Sequence, residues 1–176
     1  VFGVNVYQFF LPAKDLMSLV FPNEYATYLM VFPQMVNDNH AVITVKGKLQ
    51  QNIGSSNKNC RYVSFMASNF FTTSTDSSIN FTEIKTNEDH DYVLFVTFDE
   101  TMAESKGYDK TNTNHNLLLW DEKTNEKPVL IYRIVSVATS TEHKDEDMIF
   151  TLPNQNQSIG NTATELTEWT YYPRVV

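Results

Sequence analysis

The chain is poor in the residues that most often carry chemistry. It has one cysteine, five glycines and three arginines in 176 residues. A lone cysteine, Cys60, permits no intrachain disulfide, which excludes a disulfide-stapled scaffold and leaves the redox compartment open. Gly3, Gly47, Gly54, Gly107 and Gly160 fall in no phosphate-loop or dinucleotide spacing, and none flanks a serine as in the nucleophile elbow of esterases. An ATP- or NAD-dependent enzyme is therefore disfavoured, and no cofactor is expected. No window approaches the ~20 apolar residues of a membrane span, and no basic stretch precedes a hydrophobic run as in a signal peptide.

Basic charge is scarce as well. Thirteen Lys and Arg are scattered among 21 Asp and Glu, for a net charge of −8. Nucleic-acid binding needs clustered cations to displace counterions from phosphate, so neither nucleic acid nor an anionic membrane surface is an expected partner. The acidic excess serves solubility. Leu and Ala are scarce beside Asn, Thr and Ser, which favours strands and turns over helices.

What the chain does have is strand pattern. YLMVF (28–32) is apolar without alternation, as in a strand buried on both faces. HAVITVKGKL (40–49) alternates, with Ala41, Ile43 and Val45 on one side and His40, Thr44 and Lys46 on the other. CRYVSFMA (60–67), SSINFTEIK (77–85), DYVLFVTFDE (91–100), NLLLW (116–120), PVLIYRIVSV (128–137) and EDMIFTL (146–152) complete the strand set, with VFGVNVYQFF at the start as a further candidate. Pro12 and Pro22 bracket a short helix. The polar stretch 101–115 is a long connection with one helical turn before Gly107, and the tail is irregular, tied down by Trp169, Tyr171 and Tyr172. Strands do not alternate with helices. The pattern predicts a single all-β domain over residues 1–176: an antiparallel β-sandwich, jelly-roll-like, of about eight or nine strands with one short N-terminal helix.

Chemistry-bearing groups are sparse. His40, His90, His115 and His143 lie too far apart to share a metal ion through local spacing. NEDHD (87–91) and HKDED (143–147) mix histidine with carboxylates, but read as solvated turns, so no metal site is expected. Cys60 could serve as a nucleophile with a histidine base; its place at a strand start favours a small buried thiol. Two sequons, at Asn80 and Asn156, are candidate glycosylation sites in a secreted eukaryotic chain.

The arginines are the informative exception. Strand alternation puts Arg133 on one face with Val129, Ile131, Val135 and Val137, and Arg61 on one face with Val63 and Phe65. A buried guanidinium costs several kcal/mol unless it is compensated. Either each arginine reaches water near a strand end, or each pairs with a carboxylate such as Asp91, Asp99 or Glu83, or the two converge on an anion. Arg61, Tyr62, Tyr132 and Arg133 are the candidate ligand-binding residues.

Pro22-Asn23-x-x-Ala26-x-Tyr28, Lys46-Gly47, Cys60-Arg61-Tyr62-Val63-Ser64-Phe65, Asn116-Leu117-Leu118-Leu119 and Leu130-Ile131-Tyr132-Arg133-Ile134 follow one another in this order. The succession resembles a group of mostly bacterial, often secreted β-sandwich proteins without assigned activity, similar to two domains of unknown function numbered 1254 and 1214. The resemblance spans residues 22–137. Asn23 stands where that pattern has Asp, Cys60 where it has Ala, and Val135 where it has Tyr. It implies a jelly-roll-like sandwich, no catalytic mechanism, and a shared structural feature built from Arg61, Arg133 and their tyrosines.

These readings together lead to the expectation of a non-enzymatic protein, extracellular or periplasmic, that binds a ligand or assembles with its own copies. Its tyrosines and tryptophans would suit carbohydrate, its arginines a small anion. VFGVNVYQFF could add to a neighbour's sheet edge in self-association. The alternative is a carboxylate-dependent hydrolase or isomerase acting on a small or glycan substrate.

Overall fold

A computed structural model of the chain describes residues 26–32, 42–54, 60–123, 126–136, 171 and 173–176. Eight strands and one helix lie among them: β1 (Ala26–Val31), β2 (Ile43–Lys48), β3 (Cys60–Asn69), β4 (Thr75–Asn80), β5 (Asp91–Thr97), α1 (Glu100–Ser105), β6 (His115–Leu119), β7 (Pro128–Ser136) and β8 (Arg174–Val175). The strands form two four-stranded sheets, ordered β1-β7-β3-β4 and β6-β5-β2-β8. The expected N-terminal helix, the first candidate strand and the strand at 146–152 lie outside the described residues.

Both sheets feed one apolar cluster. Leu29, Phe65, Leu130, Tyr132 and Ile134 come from the first sheet, and Ile43, Val45, Tyr92, Leu94 and Leu118 from the second. In β2 the alternation reads out directly: Ile43 and Val45 are buried while Lys46 is exposed. The first sheet is buried on its other face too. There Tyr28, Met30, Val129 and Ile131 form a second cluster, with Phe32, Met66 and Phe70 packed against it. This two-sided burial explains why β1 and β7 are continuous apolar runs rather than alternating ones. Pro128 opens β7 at the first position, where its missing N–H is tolerated.

One pairing departs from the antiparallel expectation. β5 and β6 run parallel, Val93 opposite His115 through Thr97 opposite Leu119. Parallel neighbours need a crossover of a dozen or more residues, and the stretch after β5 supplies it with α1. Asp99 caps that helix by accepting from Thr101 N at 2.9 Å. Gly107, at φ +96°, lets the chain leave it. The crossover loop covers the outer side of β5, where Phe95 is buried against Tyr108 and His115 at 5.6 and 5.3 Å between ring centroids. A six-residue helix is too short to leave an amphipathic period in the sequence, so the parallel pairing it permits is invisible to pattern reading.

β4 begins and ends earlier than the 77–85 expectation. Asn80 stops it by turning the chain: its Oδ1 accepts from Thr82 N at 2.9 Å, and Ile84 N donates to Asn80 O at 3.0 Å. β4 also ties the two sheets together along one side. Ser77 Oγ donates to Leu119 O at 2.7 Å and accepts from Leu119 N at 3.0 Å, while Asp121 N donates to Asp76 Oδ2 at 3.1 Å.

Candidate functional site

Arg133 sits in the middle of β7, on the outer face of the first sheet. Its neighbours follow from the register. In β1 the residue opposite is Tyr28; in β3 it is Ser64, with Tyr62 one diagonal step away opposite Val135. β1 and β3 flank β7 on its two sides, so the guanidinium receives one tyrosine from each. Its Cζ lies 5.9 Å from the Tyr28 ring centroid and 5.4 Å from that of Tyr62. Tyr62 is in turn braced edge-on by Phe81, at 6.0 Å.

The cation is half-buried. Each ring face offers it roughly 0.5–2 kcal/mol of electrostatic attraction, which stabilises the charge without neutralising it. Two buried polar atoms on this face, Arg133 Nε and Ser64 Oγ, have no hydrogen-bond partner among the described residues. Ser64 is 1% exposed. An arginine on an aliphatic strand face, flanked by tyrosines and opposed by a buried hydroxyl, can hold an acceptor of negative charge.

The carboxylates expected to pair with the arginines are engaged elsewhere. Asp91 is 3.7 Å from Lys48 Nζ, Asp99 caps α1, and Glu83 accepts from Asn80. Arg61 does not share a core face with Val63 and Phe65. The pairing shifts register between Cys60 and Tyr62, so Arg61 is the extra residue of a β-bulge and is exposed. Strand alternation cannot be carried across a bulge, which is why the sequence misplaces it. Tyr132 also parts from Arg133: it points into the shared core and stacks near Phe65 at 4.6 Å. Of the four sequence candidates the fold brings together only Tyr62 and Arg133. Tyr28 and Ser64 join them.

Inside the core a thiol and two phenols lie close together. Burial pushes the Cys60 thiol up to about 12, and its Sγ donates to Tyr62 O at 3.7 Å. Tyr92 and Tyr132 are also raised, by burial and, for Tyr132, by the proximity of Tyr92 and Cys60. Cys60 is fully buried in the core cluster and packs there as a small apolar group.

At the first sequon, Asn80 Oδ1 accepts from the Thr82 hydroxyl at 2.7 Å while its Nδ2 donates to the Glu83 carboxylate. Asn156 lies outside the described residues. The NEDHD segment is a turn closed by Asn87, whose Oδ1 accepts from Asp91 N at 2.8 Å, with His90 at φ +64°. No cluster of His, Cys, Asp or Glu among the described residues is arranged to hold a metal ion, and HKDED lies outside them. Among the described residues no helix is long and apolar enough to cross a membrane.

No protein-family model and no curated protein matches this sequence. Among the solved structures that resemble it are two of bacterial origin. An uncharacterised protein from Burkholderia cenocepacia superposes with a TM-score of 0.53 at 10% identity, over 96% of this chain and 34% of its own. The VPA0106 protein from Vibrio parahaemolyticus gives a TM-score of 0.43 at 14% identity, over 86% of this chain and 31% of its own. The chain thus spans about a third of the length of either protein. The first likeness concerns the fold alone.

Proposed function

We propose that this chain is a β-sandwich of jelly-roll-like connectivity that works as a non-enzymatic binding domain outside the cytoplasm, and that Arg133 is its binding element. Two four-stranded sheets that share one apolar core support the sandwich. The extracytoplasmic placement rests on the family resemblance over residues 22–137. The observation that carries the function is the guanidinium of Arg133, set between Tyr28 and Tyr62 with no carboxylate partner among the described residues. A guanidinium stays charged at every physiological pH. It can hold an anion but cannot shuttle a proton, and no carboxylate stands beside it among the described residues to do so. The expected self-association strand VFGVNVYQFF lies outside the described residues.

The test is thermal unfolding in formate, acetate and chloride at constant ionic strength. An anion that binds the folded state alone raises its stability with concentration. A saturable rise in Tm with at least one organic anion, absent in Arg133→Met, is the expected result. An equal rise in the variant, or none in the wild type, would show that Arg133 is not the binding element.

A further inference from the structure

We infer that the ligand of this site is a carboxylate and that Ser64 is its second anchor; the inference rests on the reading of Arg133 as a binding cation. Ser64 and Arg133 are register partners on adjacent strands, and directly opposed side chains on one sheet face have Cβ atoms about 5 Å apart. Ser64 Oγ and Arg133 Nε are both buried and both without a hydrogen-bond partner among the described residues. Burial of an unpartnered donor is costly, and two such donors on one face of paired strands call for an acceptor that both can reach.

The donor set narrows the acceptor's chemistry. Nε–H and the neighbouring Nη–H of a guanidinium form a planar fork that matches the two oxygens of a carboxylate. The oxygen nearer Nε can accept from the Ser64 hydroxyl as well. A neutral sugar hydroxyl would satisfy a donor yet leave the cation uncompensated. The rings of Tyr28 and Tyr62 flank the guanidinium without supplying a counter-ion, so an arriving monoanion would be its charge partner. A doubly charged oxyanion meets the field of a chain with net charge −8, which opposes it more strongly than a monoanion. The same carboxylate chemistry can come from a small acid or from the C-terminus of a peptide.

The Arg133 Nε–H resonance in ¹⁵N-edited NMR reads the site directly. Titration with acetate is expected to shift it saturably, N-acetylglycylglycine to do the same if the site admits a peptide terminus, and acetamide to leave it in place. Sulfate should bind at least threefold more weakly than acetate. Ser64→Ala should weaken acetate at least fivefold while keeping the amide spectrum dispersed; Ser64→Cys serves if the alanine variant fails to fold. Arg133→Lys, which keeps the charge and loses the fork, should bind acetate at least tenfold more weakly. Sulfate binding as tightly as acetate, or an unchanged acetate affinity in the Ser64 variants, overturns the inference and leaves Arg133 as a general anion site. If no anion moves the resonance, the underlying reading of Arg133 falls with it.

Discussion

The hydroxyl of Tyr92 occupies the space in which a side chain on Gly47 would have to sit. The two residues are register partners across β2 and β5, and Gly47 follows Ile43 and Val45 on the core-facing side of its strand. A Cβ built there would lie 2.6 Å from Tyr92 Cζ and 3.1 Å from Cε1. The phenol cannot swing away, because it is 2% exposed and wedged edge-on against Phe65 at 5.6 Å. Gly47→Ala is therefore expected to destabilise the fold by about 1–3 kcal/mol through overpacking, measured as a lower denaturant midpoint with unchanged slope. A midpoint equal to the wild type's would mean that the ring has room to move.

The same phenol oxygen is buried with no hydrogen-bond partner among the described residues. Tyr92→Phe removes an unsatisfied group while keeping the ring, so stability should hold or rise, by up to about 1 kcal/mol. A loss of more than about 1 kcal/mol by chemical denaturation would show that the hydroxyl has a partner.

Cys60 predicts a pH dependence. Its thiol is raised to about 12 in the fold, against about 8.5 in an unfolded chain. The protonated form is favoured by folding. The associated stability is fully present below about pH 8.5 and declines as pH rises toward 12, since the unfolded chain sheds its proton first. Denaturation midpoints between pH 8 and 10 should fall more steeply in the wild type than in Cys60→Ala. A thiol-specific reagent at pH 8 should label the chain only in denaturant. Rapid labelling without it would contradict the burial.

Asn116 fastens the turn region before β5 to β6. It is 4% exposed. Its Oδ1 accepts from Lys85 N at 2.8 Å, and its Nδ2 donates to Lys85 O at 3.0 Å and points toward Asn114 O at 3.2 Å. Asn116→Leu strands these groups and should cost about 2–4 kcal/mol. Asn116→Asp keeps the acceptor but loses both donors, so it should also destabilise. Native-like stability in the aspartate variant would show that the backbone finds other partners.

Much of the architecture was legible in the residues. The unalternating runs YLMVF and PVLIYRIVSV announce strands covered on both faces, and Tyr28, Leu29, Met30 and Val31 are all buried. The expected helical turn before Gly107 is present as α1, which starts at Glu100, inside the stretch read as the strand 91–100. Legibility ends where register and irregularity begin. Nothing in one chain's sequence tells that Tyr28 and Ser64 stand on either side of Arg133, because pairing between strands distant in sequence is set by the whole fold. A bulge at Arg61 breaks the two-residue period on which face assignment depends. The parallel β5–β6 pair hides behind a connection of Asn, Asp and Thr whose helix is only six residues long. β8 is two residues long, shorter than any periodicity can register.

An electron-density map of the whole chain around Arg133, from crystals grown without carboxylate or sulfate salts, tests the central claim most directly. The account predicts the guanidinium between the Tyr28 and Tyr62 rings, with no Asp or Glu oxygen of the chain within hydrogen-bonding distance and with its Nε–H turned toward the Ser64 side of the strand. A guanidinium locked in an ion pair with one of the chain's own carboxylates would contradict it, and would make Arg133 a support of the fold rather than a site.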